Sequence, residues 1–171
     1  MTFTIDKPYE IVRESIPFER FLDGHYLQAD IYNSVRLDEY SASRIWQDDR
    51  KRVFLDAVLR RRYVSPIVLL EKPDSTREIL DGWQRVNVIR DFQYGKIPIP
   101  QSLGNVPQFQ SLIGRKFTEL LLEIRVYMCT VLTLNADIIK GITNAQEIHR
   151  LFFDLHPGYI PRSSNACTNL M

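Results

Sequence analysis

Hydrophobic and polar positions recur along this chain with two periods, which predict a mixture of strands and helices. Apolar residues at helical spacing follow the acidic Asp48 and predict a helix over residues 48–61. The β-branched run 64–70 and the run 77–80 predict two short strands, and the turn residues between them favour a hairpin. An extended piece is expected over residues 11–17.

The second half of the chain continues the alternation. A helical pattern follows Gly82 and stops at Gly95, a residue suited to the left-handed position after a helix. The prolines that come next predict an extended surface excursion over residues 98–110. The β-rich run 125–134 is typical of a major strand. A last helix is expected to begin at Asn144 as its N-cap. Six aromatic residues are expected in the core: Tyr63, Phe92, Phe109, Phe117, Phe152 and Phe153.

Composition narrows the class of protein. The 171 residues are 44% hydrophobic and carry a net charge of +1, which is typical of an ordinary globular domain and excludes a generally basic nucleic-acid coat. No secretory signal or membrane span is visible, so we expect no membrane partner. Cys129 and Cys167 are too few for a disulfide framework, which favours the cytoplasm. His149 and His156 have no evident third ligand, so we expect no metal site built from side chains.

The segment Asp81-Gly-Trp-Gln-Arg85 is the strongest candidate for chemistry. A strand that ends at a glycine and opens a helix leaves free amides at the helix N-terminus, and these amides attract phosphate. Arg85 could grip phosphate oxygens, and Asp81 could hold a metal ion, a water or a ribose hydroxyl. The alternative is purely structural: Asp81 caps the helix, Gly82 makes the turn and Arg85 pairs with a surface carboxylate.

A second candidate is the basic stretch 44–62. It holds seven Arg or Lys residues against three Asp, which could meet DNA phosphates, chiefly through Arg60, Arg61 and Arg62. The alternative is a solvated helix whose C-terminal arginines complement the helix dipole.

Several of these segments in their order along the chain resemble the N-terminal domain family of GmrSD-type modification-dependent restriction proteins. That family carries an Arg…Trp segment, a helix, a strand with Pro and Ile, an Asp-Gly-Gln-Gln-Arg signature that enters a helix, and a later helix that ends in a Phe…Leu-Asn-x-Gly stretch. The matching segments here are Arg44-Ile-Trp46, the helix 48–61, Pro66–Leu69, Leu80–Phe92 with Gly95, and Glu147–Gly158.

The resemblance implies an α+β fold like that of ParB and sulfiredoxin, a small mixed β-sheet flanked by helices. From the length we expect one domain over residues 1–171, with residues 1–40 irregular, 41–160 as the core that the resemblance covers and 161–171 as a tail. In these groups a Gly-x-x-Arg, here Gly82 and Arg85, lies beside a nucleotide's phosphates.

By implication the chain binds a nucleoside triphosphate, with or without Mg²⁺, and its partners are that nucleotide and DNA. Asp81, Gln84 and Arg85 are the implied catalytic residues. Arg44, Gly82 and Trp83 join Arg85 in the implied binding set. In this family the nucleotide step is coupled to the cutting of DNA by an HNH-type nuclease domain. No such His-Asn-His set is present here, so a nuclease domain or subunit would act in trans.

Trp83 is the main departure from the signature, since it stands where the family has its first Gln. The change removes an amide that could orient a water and supplies a stacking surface instead. Two functions therefore stay open from the sequence. One is a nucleotide-hydrolysing domain of a phage-defence protein, and the other is a DNA- or protein-binding module without turnover.

Overall fold

A four-stranded mixed sheet is the centre of the fold in a computed structural model that describes residues 9–22 and 46–155. The strands are β1 (Glu10–Pro17), β2 (Ile67–Glu71), β3 (Arg77–Asp81) and β4 (Thr133–Lys140). Their order is β1-β4-β2-β3. Strand β4 runs antiparallel to β1 and parallel to β2, and β2 and β3 form an antiparallel hairpin. The predicted α+β class with a small mixed sheet is confirmed, and so is the hairpin.

Four α-helices accompany the sheet in the described residues: α1 (Asp48–Leu59), α2 (Trp83–Gln93), α3 (Leu122–Val131) and α4 (Ala145–Leu155). Short 3-10 helices occupy Phe18–Phe21, Gln101–Asn105, Pro107–Leu112 and Phe117–Glu119. The predictions of α1, α2 and α4 are confirmed. The expected cap of α4 is also present, since the Asn144 side-chain oxygen accepts a hydrogen bond of 2.8 Å from the Gln146 amide.

The helices cover both faces of the sheet. On one face, buried residues of α1, α2 and α3 pack against β2 and β4 in the larger hydrophobic cluster, with Leu55, Ile89 and Ile138 fully buried. On the other face, α4 contributes Ile148 and Leu151 to a smaller cluster. The side chains of β2 alternate between these two clusters, which explains why its apolar residues run without a polar interruption.

The strand predicted over residues 125–134 is wrong. Residues Leu122–Val131 form α3, and the strand begins only at Thr133. The exposed side of helix α3 is mixed, since Leu122 and Val126 are both more than half exposed beside the exposed Glu123 and Thr130, so no uniformly polar face marks the helical period. From Thr133 onward polar and apolar residues alternate in the sequence, and this alternation, which matches the exposed and buried positions, indicates the strand.

Two smaller predictions are also wrong. The segment 98–110 is not an extended excursion but a series of 3-10 turns, and Ile99 and Leu103 anchor it in the core. Tyr63 is not a core residue, because 84% of it is exposed. Three of the other five predicted core aromatics are buried, and two are partly buried. The buried ones are Phe92, Phe117 and Phe152, and the partly buried ones are Phe109 and Phe153.

Candidate functional site

The turn between β3 and α2 brings most of the predicted site residues together. Strand β3 ends at Asp81, and Gly82 is the N-cap residue of α2 with φ of +102°. A Cβ atom at Gly82 would lie 2.6 Å from Ile67 Cγ2 and 2.9 Å from Arg85 Nη2. Both the backbone angle and the close packing therefore require glycine here. Because glycine has no side chain to cap the helix, the first amides of α2 have no cap from this residue.

Arg85 lies in the first turn of α2 and is held in one orientation. Its Nη2 donates to Asp81 Oδ2 at 2.8 Å and to the Pro66 carbonyl at 3.1 Å. The side chain is only 15% exposed, and its Nε is buried without a hydrogen-bond partner among residues 9–22 and 46–155. The guanidinium is thus fixed by two acceptors while other donors remain for a further one.

Gln84 points away from this turn and toward the start of α1. Its Oε1 accepts a hydrogen bond of 3.3 Å from the backbone amide of Trp46. The Trp46 ring packs edge-on against Phe54, and the Arg50 guanidinium lies 4.5 Å from the ring centre. The side-chain oxygen of Gln84, expected as a catalytic group, therefore has a structural role in joining the N-terminal ends of α1 and α2.

Two further residues were predicted to bind the nucleotide, Trp83 and Arg44. Trp83 is half-buried and packs against the main core, so its ring is not a fully exposed stacking surface. Arg44, expected as a second phosphate-side cation, lies outside the described residues.

The three arginines predicted to bind nucleic acid separate into two groups. Arg60 forms an ion pair with Asp56 in which Nε donates to both carboxylate oxygens. Its Nη2 donates to the Ser102 carbonyl and to Asn105 Oδ1, and the side chain is 14% exposed. It anchors the 3-10 segment 101–105 to α1. Arg61 and Arg62 are exposed.

Cys129 and His149, two other residues with side chains that can react, lie outside this turn. Burial raises the pKa of the Cys129 thiol, so the thiol stays protonated at neutral pH and is a poor nucleophile. His149 stacks on Phe153 with 4.7 Å between ring centres. In the part of the chain that the structure describes, no three His, Cys, Asp or Glu side chains are grouped as metal ligands.

Three contacts of this region were missed by the sequence reasoning. They are the Pro66 carbonyl bonded to Arg85, the Ile67 methyl packed on Gly82, and Arg50 stacked on Trp46. The first two join residues distant in sequence and leave no local signal. The third joins residues four apart, but Trp46 precedes the N-cap residue Gln47, so helical spacing does not predict this contact either.

Comparisons with protein-family models, with curated proteins and with solved structures found no match for this chain. Among the described helices, none has both the length and the apolar character that a membrane span requires.

Proposed function

We propose that the turn between β3 and α2 binds the phosphate groups of a nucleoside triphosphate. The observation that carries this proposal is the geometry of the turn itself. Gly82 opens α2 in a left-handed conformation, and Arg85 is fixed within the first helical turn. Backbone amides at a helix N-terminus, the helix dipole and an arginine together attract a phosphate group.

The contacts of Arg85 support binding of an anion with several oxygens. A guanidinium has five N–H donors, and the two contacts here engage only Nη2. Because the orientation is already fixed, little side-chain entropy is lost when an anion binds. Asp81 offsets part of the positive charge. Its side chain is 37% exposed, so it can also serve as the single carboxylate that Mg²⁺ commonly takes beside phosphate oxygens.

The same contacts favour binding over hydrolysis. The side-chain oxygen of Gln84 is engaged by the Trp46 amide, and Trp83 replaces the amide that the resembled family has at the preceding position. Asp81 is the remaining candidate to orient an attacking water. We therefore put nucleotide binding first, nucleotide hydrolysis second, and keep a binding module without turnover as the alternative function.

The resemblance to GmrSD-type restriction proteins supports a place for this binding step in DNA restriction. On that proposal the fold is of the ParB and sulfiredoxin type. The nucleotide-bound state then controls a nuclease domain or subunit supplied in trans.

A titration with nucleoside triphosphates tests the proposal. The four ribonucleoside triphosphates, each with Mg²⁺, are added to the full chain, and binding is followed by tryptophan fluorescence and thermal shift. Phosphate release is measured in parallel. We expect Arg85→Gln to weaken triphosphate binding by about 1.5–3 kcal/mol, because charge-assisted hydrogen bonds are lost.

Arg90→Gln is the matched control, since Arg90 lies on the same helix and its guanidinium faces the Tyr94 ring instead. Its affinity is expected to stay within about twofold of the parent, which is under 0.5 kcal/mol. The proposal is wrong if no triphosphate binds the parent chain, or if both variants lose affinity equally. Sustained phosphate release would exclude the binding-only alternative.

A further inference from the structure

We infer that the turn after α1, residues Arg61–Tyr63, is a docking surface for single-stranded nucleic acid. We call these three residues the α1 exit turn. The inference stands on the charge, exposure and rigidity of this turn, and it does not depend on whether a nucleotide binds at Gly82.

The first argument is exposure. Tyr63 is 84% exposed, the highest value among the large hydrophobic residues exposed in the described part of the chain. Covering an exposed aromatic ring removes apolar surface from water, which favours the binding of a flat partner. The flat face of a nucleobase is one such partner, and bases of any sequence stack on tyrosine.

The second argument is charge. Arg61 and Arg62 have no ion pair among residues 9–22 and 46–155, and no acidic residue occurs between positions 60 and 66. Two of the three cations earlier in α1 are paired instead, Lys51 with Asp48 and Arg52 with Asp49, and the third, Arg50, lies over the Trp46 ring. The nearest preceding carboxylate, Asp56, is occupied by Arg60 and the Ser102 hydroxyl. Two exposed guanidinium groups that have no ion pair among the described residues, next in sequence to an exposed ring, complement a phosphodiester chain.

The third argument is that the turn is held in one shape. Arg61 has φ of 56°, a left-handed conformation that a residue with a side chain rarely adopts. Two backbone hydrogen bonds of 2.8 Å fix it, from the amide of Arg61 to the Val58 carbonyl and from the amide of Arg62 to the Ala57 carbonyl. The residue before the turn, Arg60, is held by Asp56, Ser102 and Asn105. The two backbone bonds are those of a Schellman motif, with which many helices end, so the turn is a rigid platform that orders few groups when a strand binds.

The geometry favours a single strand over a duplex. Bases inside a duplex are stacked and paired, so their faces are not available to Tyr63, whereas single-strand binding proteins combine aromatic rings with nearby cations. A tight three-residue turn also lacks the length to follow a groove. Arg60 does not belong to this surface, because its side chain is only 14% exposed and its Nε and Nη2 are engaged by Asp56, Ser102 and Asn105.

Fluorescence anisotropy with a labelled 20-nucleotide oligothymidylate tests the inference, with the same strand annealed to its complement as the duplex probe. We expect Tyr63→Ala to weaken single-strand binding about tenfold, and Tyr63→Phe to retain the affinity because the ring is kept. Tyr127→Ala is the matched control, since Tyr127 is also exposed, at 62%, but lies on α3. Arg62→Gln should reduce the dependence of affinity on salt.

Each outcome decides the inference. A tenfold loss in Tyr63→Ala with no loss in Tyr127→Ala supports it. It is overturned if the parent chain does not bind the single strand, if both tyrosine variants behave alike, if Arg62→Gln leaves the salt dependence unchanged, or if the duplex binds as tightly and is indifferent to Tyr63. Because all measurements are made without nucleotide, these results do not depend on the phosphate proposal.

Discussion

Replacing Gly82 by alanine tests whether the site turn is built as described, and two other glycines separate the causes. Gly82 has both a left-handed φ and close neighbours, Gly141 has φ of +88° with no atom within 4 Å of an added Cβ, and Gly104 has neither. Alanine at Gly82 therefore measures backbone strain together with steric overlap, and alanine at Gly141 measures backbone strain alone. Alanine at Gly104 introduces neither effect and is the control.

The magnitudes follow from the geometry. A left-handed conformation costs a residue with a side chain about 1–2 kcal/mol, which is the expected loss for Gly141→Ala. At Gly82 the new Cβ would also overlap Ile67 Cγ2 at 2.6 Å. Forcing an extra carbon into a packed core adds about 1–3 kcal/mol. We therefore expect Gly82→Ala to lower the free energy of unfolding by about 2–5 kcal/mol and Gly104→Ala to change it by under about 0.5 kcal/mol.

Urea denaturation of the full chain, followed by circular dichroism, measures the three differences. The reasoning fails if Gly82→Ala is no more destabilising than Gly141→Ala. In that case Ile67 and Arg85 move aside easily, and the turn is not the tightly packed element that the phosphate proposal requires.

Two further predictions concern charged groups. Arg60→Ala should lower the free energy of unfolding by about 1–3 kcal/mol, because it leaves the Asp56 carboxylate, which is only 14% exposed, without its ion-pair partner. Arg62→Ala, at the exposed turn, should change it by under about 0.5 kcal/mol, and equal losses in the two variants would contradict this assignment. Glu71 gives a pH dependence: the hydrogen bond from Lys140 holds the pKa of its carboxyl below the ordinary value of 4.5, with Arg77 adding to the effect. A lowered pKa stabilises the fold above 4.5, and the contribution is lost as the pH falls below it. Stability measured from pH 7 to pH 3 should therefore fall less in Glu71→Gln than in the parent chain, and parallel curves would show that Glu71 does not contribute.

The local sequence pattern predicted those helices and strands that have clear end signals and a distinct apolar side. Helix α1 has a buried stripe and acidic residues at its start, α4 has an Asn cap and an apolar face, and the hairpin has turn residues between two apolar runs. Helix α3 could not be predicted in the same way, because its exposed side carries Leu122 and Val126 and the β-branched content is typical of a strand. The exposure of Tyr63 depends on the direction in which the chain leaves α1, and the spacing of apolar residues in the sequence does not give that direction.

The candidate site was predictable where the chemistry is local. Asp81, Gly82 and Arg85 are close in sequence, and the strand-glycine-helix pattern places them together. The orientation of Arg85 depends instead on the Pro66 carbonyl, and that of Gln84 on the Trp46 amide, both from other elements. Sequence alone therefore indicated which residues share the turn, but not which donors and acceptors are already engaged.

The most direct test of the central proposal is a nitrogen-15 NMR titration of the full chain with a nucleoside triphosphate and Mg²⁺. If phosphate groups bind at the start of α2, the largest amide shift changes should occur at Gly82, Trp83, Gln84 and Arg85. Inorganic sulfate, as a simple anion, should move the same amides less. The proposal is contradicted if these four amides do not shift, or if the largest changes lie at the α1 exit turn or elsewhere in the chain.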